Sequence, residues 1–163
     1  AAWYRGGLSI PVVAIGGRAS RRALALELGA DAALTVDEPD LEERVLEHTA
    51  GQRFDVVLEA SGNPAVTGLF AHLLRPHGRL VMTGLFGGKQ GAMDLDWLVT
   101  NNITLQGSLG SPNVWDETIH LISSGRIVCN RLITHRFALA EAEQALRLIE
   151  SRPPQLIKVL LIP

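Results

Sequence analysis

The apolar run PVVAI at residues 11–15 stops at Gly16-Gly17-Arg18, and strong helix formers resume within three residues. No other stretch limits the possible folds as tightly. A strand that ends on glycine and passes straight into a helix is the first half of a crossover, and parallel strands need crossovers where antiparallel ones do not. Ser20 is suited to cap a helix over Arg21–Leu28, and Gly29 to stop it. In a dinucleotide-binding fold the end of the second strand reads the adenosine ribose, and an acidic residue there binds the free hydroxyls of NAD. Gly16 removes that carboxylate, and Arg18 offers a planar fork of donors that fits a 2′-phosphate. The same residues also fit a glycine turn followed by a solvated arginine, so locally both readings stand.

A strand carrying G-x-G-x-x-G precedes the ribose-reading turn in that fold by about 20 residues or more. Here Ala1–Ile10 stand before it, with Ala1–Arg5 reading as the last turn of a helix and Gly6-Gly7 as its stop. The chain is therefore expected to begin inside a larger protein, after its phosphate loop. In the strand order 3-2-1-4-5-6 the missing first strand is central. Its neighbours, Pro11–Ile15 and Phe54–Glu59, would then carry open inner edges, and the isolated chain is expected to be aggregation-prone.

The remaining sequence alternates strand and helix. Ala33–Val36 reads as a short strand, and Asp40 with Glu43 forms a capping-box pattern before a helix closed by Gly51. Phe54–Glu59 reads as a buried strand. Asn63-Pro64 opens a helix with apolar positions at Val66, Leu69, Phe70, Leu73 and Leu74, and Pro76-His77-Gly78 turns into a strand at Leu80–Thr83. A short helix is expected at Leu95–Thr100 and a strand at Ile103–Leu109. After Gly107–Gly110 come a helix at Asn113–Ser124, an extended piece at Thr134–Phe137, an amphipathic helix at Leu139–Ser151 and a last strand at Leu156–Ile162. Such alternation points to a parallel sheet covered on both faces.

With 163 residues, 47% of them hydrophobic, the chain is long enough for one sizeable core. A net charge of −2 gives no electrostatic case for nucleic acid or for an anionic membrane surface. No apolar run approaches the ~20 residues that span a bilayer. The single cysteine, Cys129, cannot form an internal disulfide and fits a reducing, cytoplasmic setting. The histidines His48, His72, His77, His120 and His135 have no zinc-like spacing with Cys129, no G-x-S-x-G elbow occurs, and Glu59 has no identifiable partner to make it a general base.

The segments RRALALELGAD, DVVLEASGNPAV, LRPHGRLVMTGL, NNITLQGSLGSP, RLITHRFALAEAEQALRLIES and IKVLL stand here in an order and at a spacing that resemble the C-terminal half of zinc-type medium-chain dehydrogenases/reductases. The alcohol, sorbitol and threonine dehydrogenases are of this type. The resemblance runs from Ala1 to Pro163. It implies a Rossmann-like, doubly wound parallel α/β sheet lacking its first strand, followed by a C-terminal helix–strand return segment. Residues 1–109 would be the partial NAD(P)-binding domain and residues 110–163 the segment returning towards an absent catalytic domain.

The resemblance also assigns roles. Gly16, Gly17 and Arg18 match the ribose-reading turn, in a Gly-x-Arg form similar to NADP-using members, and Arg21 matches a basic residue lying over that ribose. Ala60, Ser61 and Gly62 match the turn that passes the cofactor's riboses. Thr83, Gly84 and Leu85 match the turn holding the nicotinamide carboxamide, with Ser108 and Leu109 as the other wall. Lys158 matches the residue that reaches the pyrophosphate. Turn glycines at Gly62 and Gly84, an exposed Arg21, a helix-capping Ser61 and an edge Lys158 are the plain structural readings of the same residues.

Taken together, the resemblance implies an NADP(H)-preferring part of an alcohol or polyol dehydrogenase. The parent would move a hydride between nicotinamide and a small alcohol, polyol or carbonyl substrate. Zinc and the catalytic residues would belong to the full-length parent, so the chain alone is expected to be inactive. A homo-oligomer through the 103–109 edge strand is expected, with no nucleic-acid or membrane partner. The alternatives are a zinc-free quinone or enoyl reductase of the same superfamily and a non-catalytic NADP-binding module. A methyltransferase using S-adenosylmethionine would want an acidic residue at Gly16 and is disfavoured.

Overall fold

The computed structural model describes residues 10–110 and 113–163. The expected helix end at Ala1–Arg5 and its stop at Gly6-Gly7 lie outside the described residues. The chain divides into two compact units, one formed by Ala1–Asp37 with Val114–Pro163 and the other by Glu38–Asn113.

The first unit begins with β1 (Val13–Ile15), α1 (Ala19–Glu27) and β2 (Ala32–Leu34). β1 and β2 are parallel, with Val13 opposite Ala32 and Ile15 opposite Leu34. The crossover ends on Gly29, at φ 96°. There Gly29 N–H donates to Leu26 and Ala30 N–H to Ala25, the paired bonds of a Schellman stop. Asp31 then anchors the return, since its carboxylate accepts from Val12 N–H at 2.7 Å.

The helix start differs from expectation. Arg18 occupies the extended cap position, so Ser20 lies inside α1 and its hydroxyl donates to the Pro154 carbonyl. A serine hydroxyl with a carbonyl in reach from a distant segment has no need of the helix end. The unit is completed by α5 (Trp115–Ser123), β6 (Ile133–Ala138), α6 (Ala142–Ser151) and β7 (Lys158–Ile162). β6 and β7 pair in parallel, and Arg131 forms an ion pair with Glu27 of α1. Ala25, Ala30, Ala32, Leu34, Ala145 and Leu156 are buried here.

The second unit contains α2 (Leu41–His48), β3 (Phe54–Glu59), α3 (Thr67–His72), β4 (Leu74–Met82), α4 (Leu95–Thr100) and β5 (Thr104–Gly107). Its sheet has the order β3-β4-β5, all parallel. Asp40 precedes α2 without a side-chain cap bond, so the capping box read from Asp40 and Glu43 is not made. Two left-handed residues follow α2, Ala50 at φ 53° and Gly51 at φ 78°, and Gly51 N–H closes the helix on Leu46 O at 2.8 Å.

Asn63 does cap. Its side chain accepts from Ala65 N–H, opening a 3-10 turn at Pro64–Val66 that feeds α3. Leu74, expected on that helix, already belongs to β4 and pairs with Phe54. The next pair is Val56 with Arg79, so Arg75–Gly78 bulge out of the ladder, with His77 at φ 63°. The expected turn is thus an irregularity within one long strand.

Leu41, Val45, Phe70, Ala71, Leu73, Leu74 and Leu80 form the core of this unit. Val56 and Leu58 of β3, read as buried, are 57% and 51% exposed. β4 is the one strand paired to β3 among the described residues, which leaves β3 an edge. Among the described residues no helix is long and apolar enough to cross a membrane.

Leu80 is fully buried in the central strand of the second unit. Leu80→Ala should lower the unfolding free energy by about 2–5 kcal/mol, measured by denaturant titration. The exposed Leu85 supplies the control. A loss at Leu80 no larger than that of Leu85→Ala would mean that the core lies elsewhere.

Candidate cofactor-binding turns

In a parallel sheet all carboxyl ends lie along one edge, where the exit turns gather. The sequence-read residues lie beyond such ends, some in each unit.

In the first unit, Gly16 N–H donates to Leu34 O at 3.1 Å and so carries the β1–β2 ladder one residue past Ile15. Its carbonyl accepts from Arg22 Nη1 at 2.7 Å. Arg22, which sequence reasoning passed over, therefore braces the turn from the first turn of α1. A Cβ on Gly16 would meet nothing within 4 Å, so space is open beside it. Gly17 is nearly as free, with Val36 as its nearest neighbour at 3.9 Å.

The Arg18 carbonyl starts α1 by accepting from Arg21 and Arg22 N–H, and its guanidinium donates to Leu156 O at 3.2 Å. That bond ties the segment leading into β7 to the start of α1, with Lys158 two residues further along. Burial, and then the positive charge of Arg18, lower the pKa of Arg21 from its ordinary value. Among the described residues neither arginine has an ion-pair partner, and neither has the exposed Lys158.

In the second unit, Glu59, Met82 and Gly107 share one row of the sheet. Ala60-Ser61-Gly62, Thr83-Gly84-Leu85 and Ser108-Leu109 follow directly, so the structure brings these eight residues to one edge. Thr83 N–H and Gly84 N–H donate to Glu59 O at 2.8 and 3.1 Å, and Ser108 N–H donates to Met82 O at 2.9 Å. The first two turns touch. A Cβ on Gly84 would lie 2.3 Å from Gly62 N, and one on Gly62, at φ 64°, would lie 2.5 Å from Leu85 O.

Glu59 itself is fully buried, and its carboxylate accepts from the Ser61 and Gly62 N–H groups at 2.8 and 3.1 Å and from the Ser61 hydroxyl. Sequence reasoning sought a catalytic partner for Glu59 and missed this role. The available signal was local: an acid closing an apolar strand, two and three residues before Ser and Gly.

Elsewhere in this unit a shallow depression is lined by Glu38, Asp40, Glu42 and Glu43, and its charge repels an anionic ligand. Among the described residues no group of three or more His, Cys, Asp or Glu side chains is placed to hold a metal ion.

The fold and these turns define a parallel α/β protein with nucleotide-binding architecture. Residues 5–124 match the zinc-binding dehydrogenase family, and the chain belongs to that family. It is 30% identical over 155 residues to the erythritol/L-threitol dehydrogenase of Mycolicibacterium smegmatis, covering 93% of this chain and 42% of that protein. Identity to the sorbitol dehydrogenase of Halalkalibacterium halodurans is 32%, covering 85% of this chain and 40% of that protein.

Among solved structures, an alcohol dehydrogenase from Thermotoga maritima superposes with a TM-score of 0.83 at 34% identity, over 94% of this chain and 43% of its own. An Escherichia coli alcohol dehydrogenase solved with NADH gives 0.84 at 25% identity, over 94% of this chain and 44% of its own. The chain thus spans less than half the length of these relatives.

The contacts at Gly84 and the space at Gly16 make a paired prediction. Gly84→Ala should destabilise by about 1–3 kcal/mol, because backbone and not a flexible side chain is in the way. Gly16→Ala should change thermal stability little. Equal melting temperatures for the two variants would contradict the packing of the turns.

Proposed function

We propose that this chain is the cofactor-binding part of an alcohol or polyol dehydrogenase and that it prefers NADP(H) to NAD(H). The observation that carries the preference is the pair Arg18 and Arg21 beside the open space at Gly16, with no carboxylate at that turn. A 2′-phosphate would take donors from the guanidinium groups at this helix start, whereas the free hydroxyls of NAD bring no charge to offset theirs. Lys158, two residues beyond the Leu156 carbonyl that Arg18 holds, takes the pyrophosphate. Ala60-Ser61-Gly62 form the turn along the riboses, and Thr83-Gly84-Leu85 with Ser108-Leu109 receive the nicotinamide.

Bound there, the cofactor supplies hydride chemistry, and the chain's own residues orient and shield it. Residues 1–109 make up the cofactor-domain portion and residues 110–163 the return segment. The chain alone does not turn over substrate, because none of these residues is placed to polarise an alcohol or carbonyl oxygen. Zinc and the small alcohol, polyol or carbonyl substrate belong to the rest of the enzyme, in the cytoplasm.

Cofactor choice is tested in the protein as its gene encodes it, by kcat/KM with NADPH and NADH. A charge-assisted contact of about 1.5–3 kcal/mol corresponds to roughly tenfold to a hundredfold in favour of the phosphorylated cofactor. Gly16→Asp adds a carboxylate without steric conflict and should reverse the preference. A wild type that favours NADH, or a ratio unmoved by the substitution, would falsify the reading.

Assembly follows from β5. Among the described residues it pairs with β4 alone, all its residues are exposed, and Leu105 stands on it. A second copy pairing along this edge would extend the sheet and cover it. Sedimentation should therefore give a dimer for the wild type and a shift towards monomer for Leu105→Lys. An unchanged sedimentation coefficient would place the interface on another surface.

A further inference from the structure

Glu59 receives hydrogen bonds from both turns at the carboxyl edge of the β3-β4-β5 sheet. One carboxylate oxygen takes the Ser61 N–H, the Gly62 N–H and the Ser61 hydroxyl. Its main-chain oxygen takes Thr83 N–H, Gly84 N–H and, at 3.0 Å, the Thr83 hydroxyl. The side chain thus fixes the Ala60–Gly62 turn while the backbone of the same residue fixes the Thr83–Gly84 turn.

Two further observations indicate what this arrangement does. The Ser61 hydroxyl gives its one proton to Glu59 and accepts from Asn63 N–H at 3.1 Å. It therefore acts through the turn, not as a free donor to a ligand. The other Glu59 oxygen is buried without a hydrogen-bond partner, and a Cβ on Gly84 would stand 2.5 Å from it. A carboxylate satisfied at one oxygen and pressed against a glycine at the other has no slack, and neither have the turns.

We propose that Glu59 is a positioning residue, whose carboxylate sets the shape of the Ala60–Gly62 turn and, through the close packing of Gly62 against Gly84 and Leu85, that of the turn that receives the nicotinamide. The proposal rests on the cofactor reading above. It assigns Glu59 no contact with the cofactor and no proton transfer. Its effect is confined to one end of the ligand, because the groups assigned to the 2′-phosphate, Arg18 and Arg21, are held by other bonds.

The test compares two ligands in the protein as its gene encodes it. NADPH carries both the 2′-phosphate and the nicotinamide, and adenosine 2′,5′-bisphosphate lacks the nicotinamide. Glu59→Ala should weaken NADPH by about tenfold or more, the scale of one lost charge-assisted bond, and reduce the fluorescence change of the bound nicotinamide. Affinity for the bisphosphate should stay within about twofold, and Glu59→Gln, whose amide oxygen can take the same donors, should restore most of the NADPH affinity.

Ser61→Ala removes one donor without touching the core and should show the same selectivity at smaller size, which keeps the proposal open to refutation where Glu59→Ala does not fold. Equal losses for the two ligands, or no loss for NADPH, would overturn the positioning role. A wild-type protein that binds neither ligand overturns the cofactor reading itself, and this proposal with it.

Discussion

Parallel pairing decides where everything else can be. Each hydrogen-bonded strand pair among the described residues runs the same way, so the carboxyl ends within a sheet share one edge. A strand that must return to the same end needs a crossover, and crossovers place helices on the faces and exit turns on that edge. The row Glu59, Met82, Gly107 and the pair Ile15, Leu34 are the visible result. Within each unit the residues read as binding residues lie just past its row, because exit turns follow carboxyl ends. Their side chains then divide the work by charge: cations follow β1, and small or hydroxyl-bearing residues follow β3 and β4.

Local signals carried the sequence reading wherever the physics was local. Gly29 was readable as a helix stop because only its positive φ lets the paired C-terminal bonds form. Asn63-Pro64 was readable because an amide acceptor and a ring-fixed φ suit a helix start in any context. Strand β3 and helix α4 have the bounds their residues suggested, and the family membership implied by the ordered motifs is confirmed.

What escaped the sequence depends on distant partners. Ser20 was read as a cap, but the Pro154 carbonyl claims its hydroxyl across the chain. Gly51 closes α2 as read, at φ 78° with its N–H donating to Leu46 O, but Ala50 joins it in the left-handed region, which no residue type at that position announced. The edge position of β3, with Val56 and Leu58 in solvent, depends on which strands pair, and no property of FDVVLE encodes that. At the candidate site the turns were readable from their glycines, but what binds them was not. Arg22 looks like any helix arginine until the Gly16 carbonyl stands in front of it. Glu59 looks like a spare acid until its donors arrive from its own turn and the next.

The bulge at Arg75–Gly78 has a consequence for how such a domain tolerates change. It separates the Phe54–Leu74 pair from the pairs that begin at Val56–Arg79. Asp55 grips Arg75 on one side of it, and Asn101 O accepts from His77 N–H on the other. The stretch acts as an expansion joint. A residue added or removed where α3 hands over to β4 can be absorbed in the bulge, while Leu80–Met82 stay locked to β3 and β5. Within the joint Gly78 is fixed, since a Cβ there would stand 2.8 Å from Arg75 O, so a change of length is expected to be taken up at Arg75–His77 without moving the edge on which the candidate turns stand.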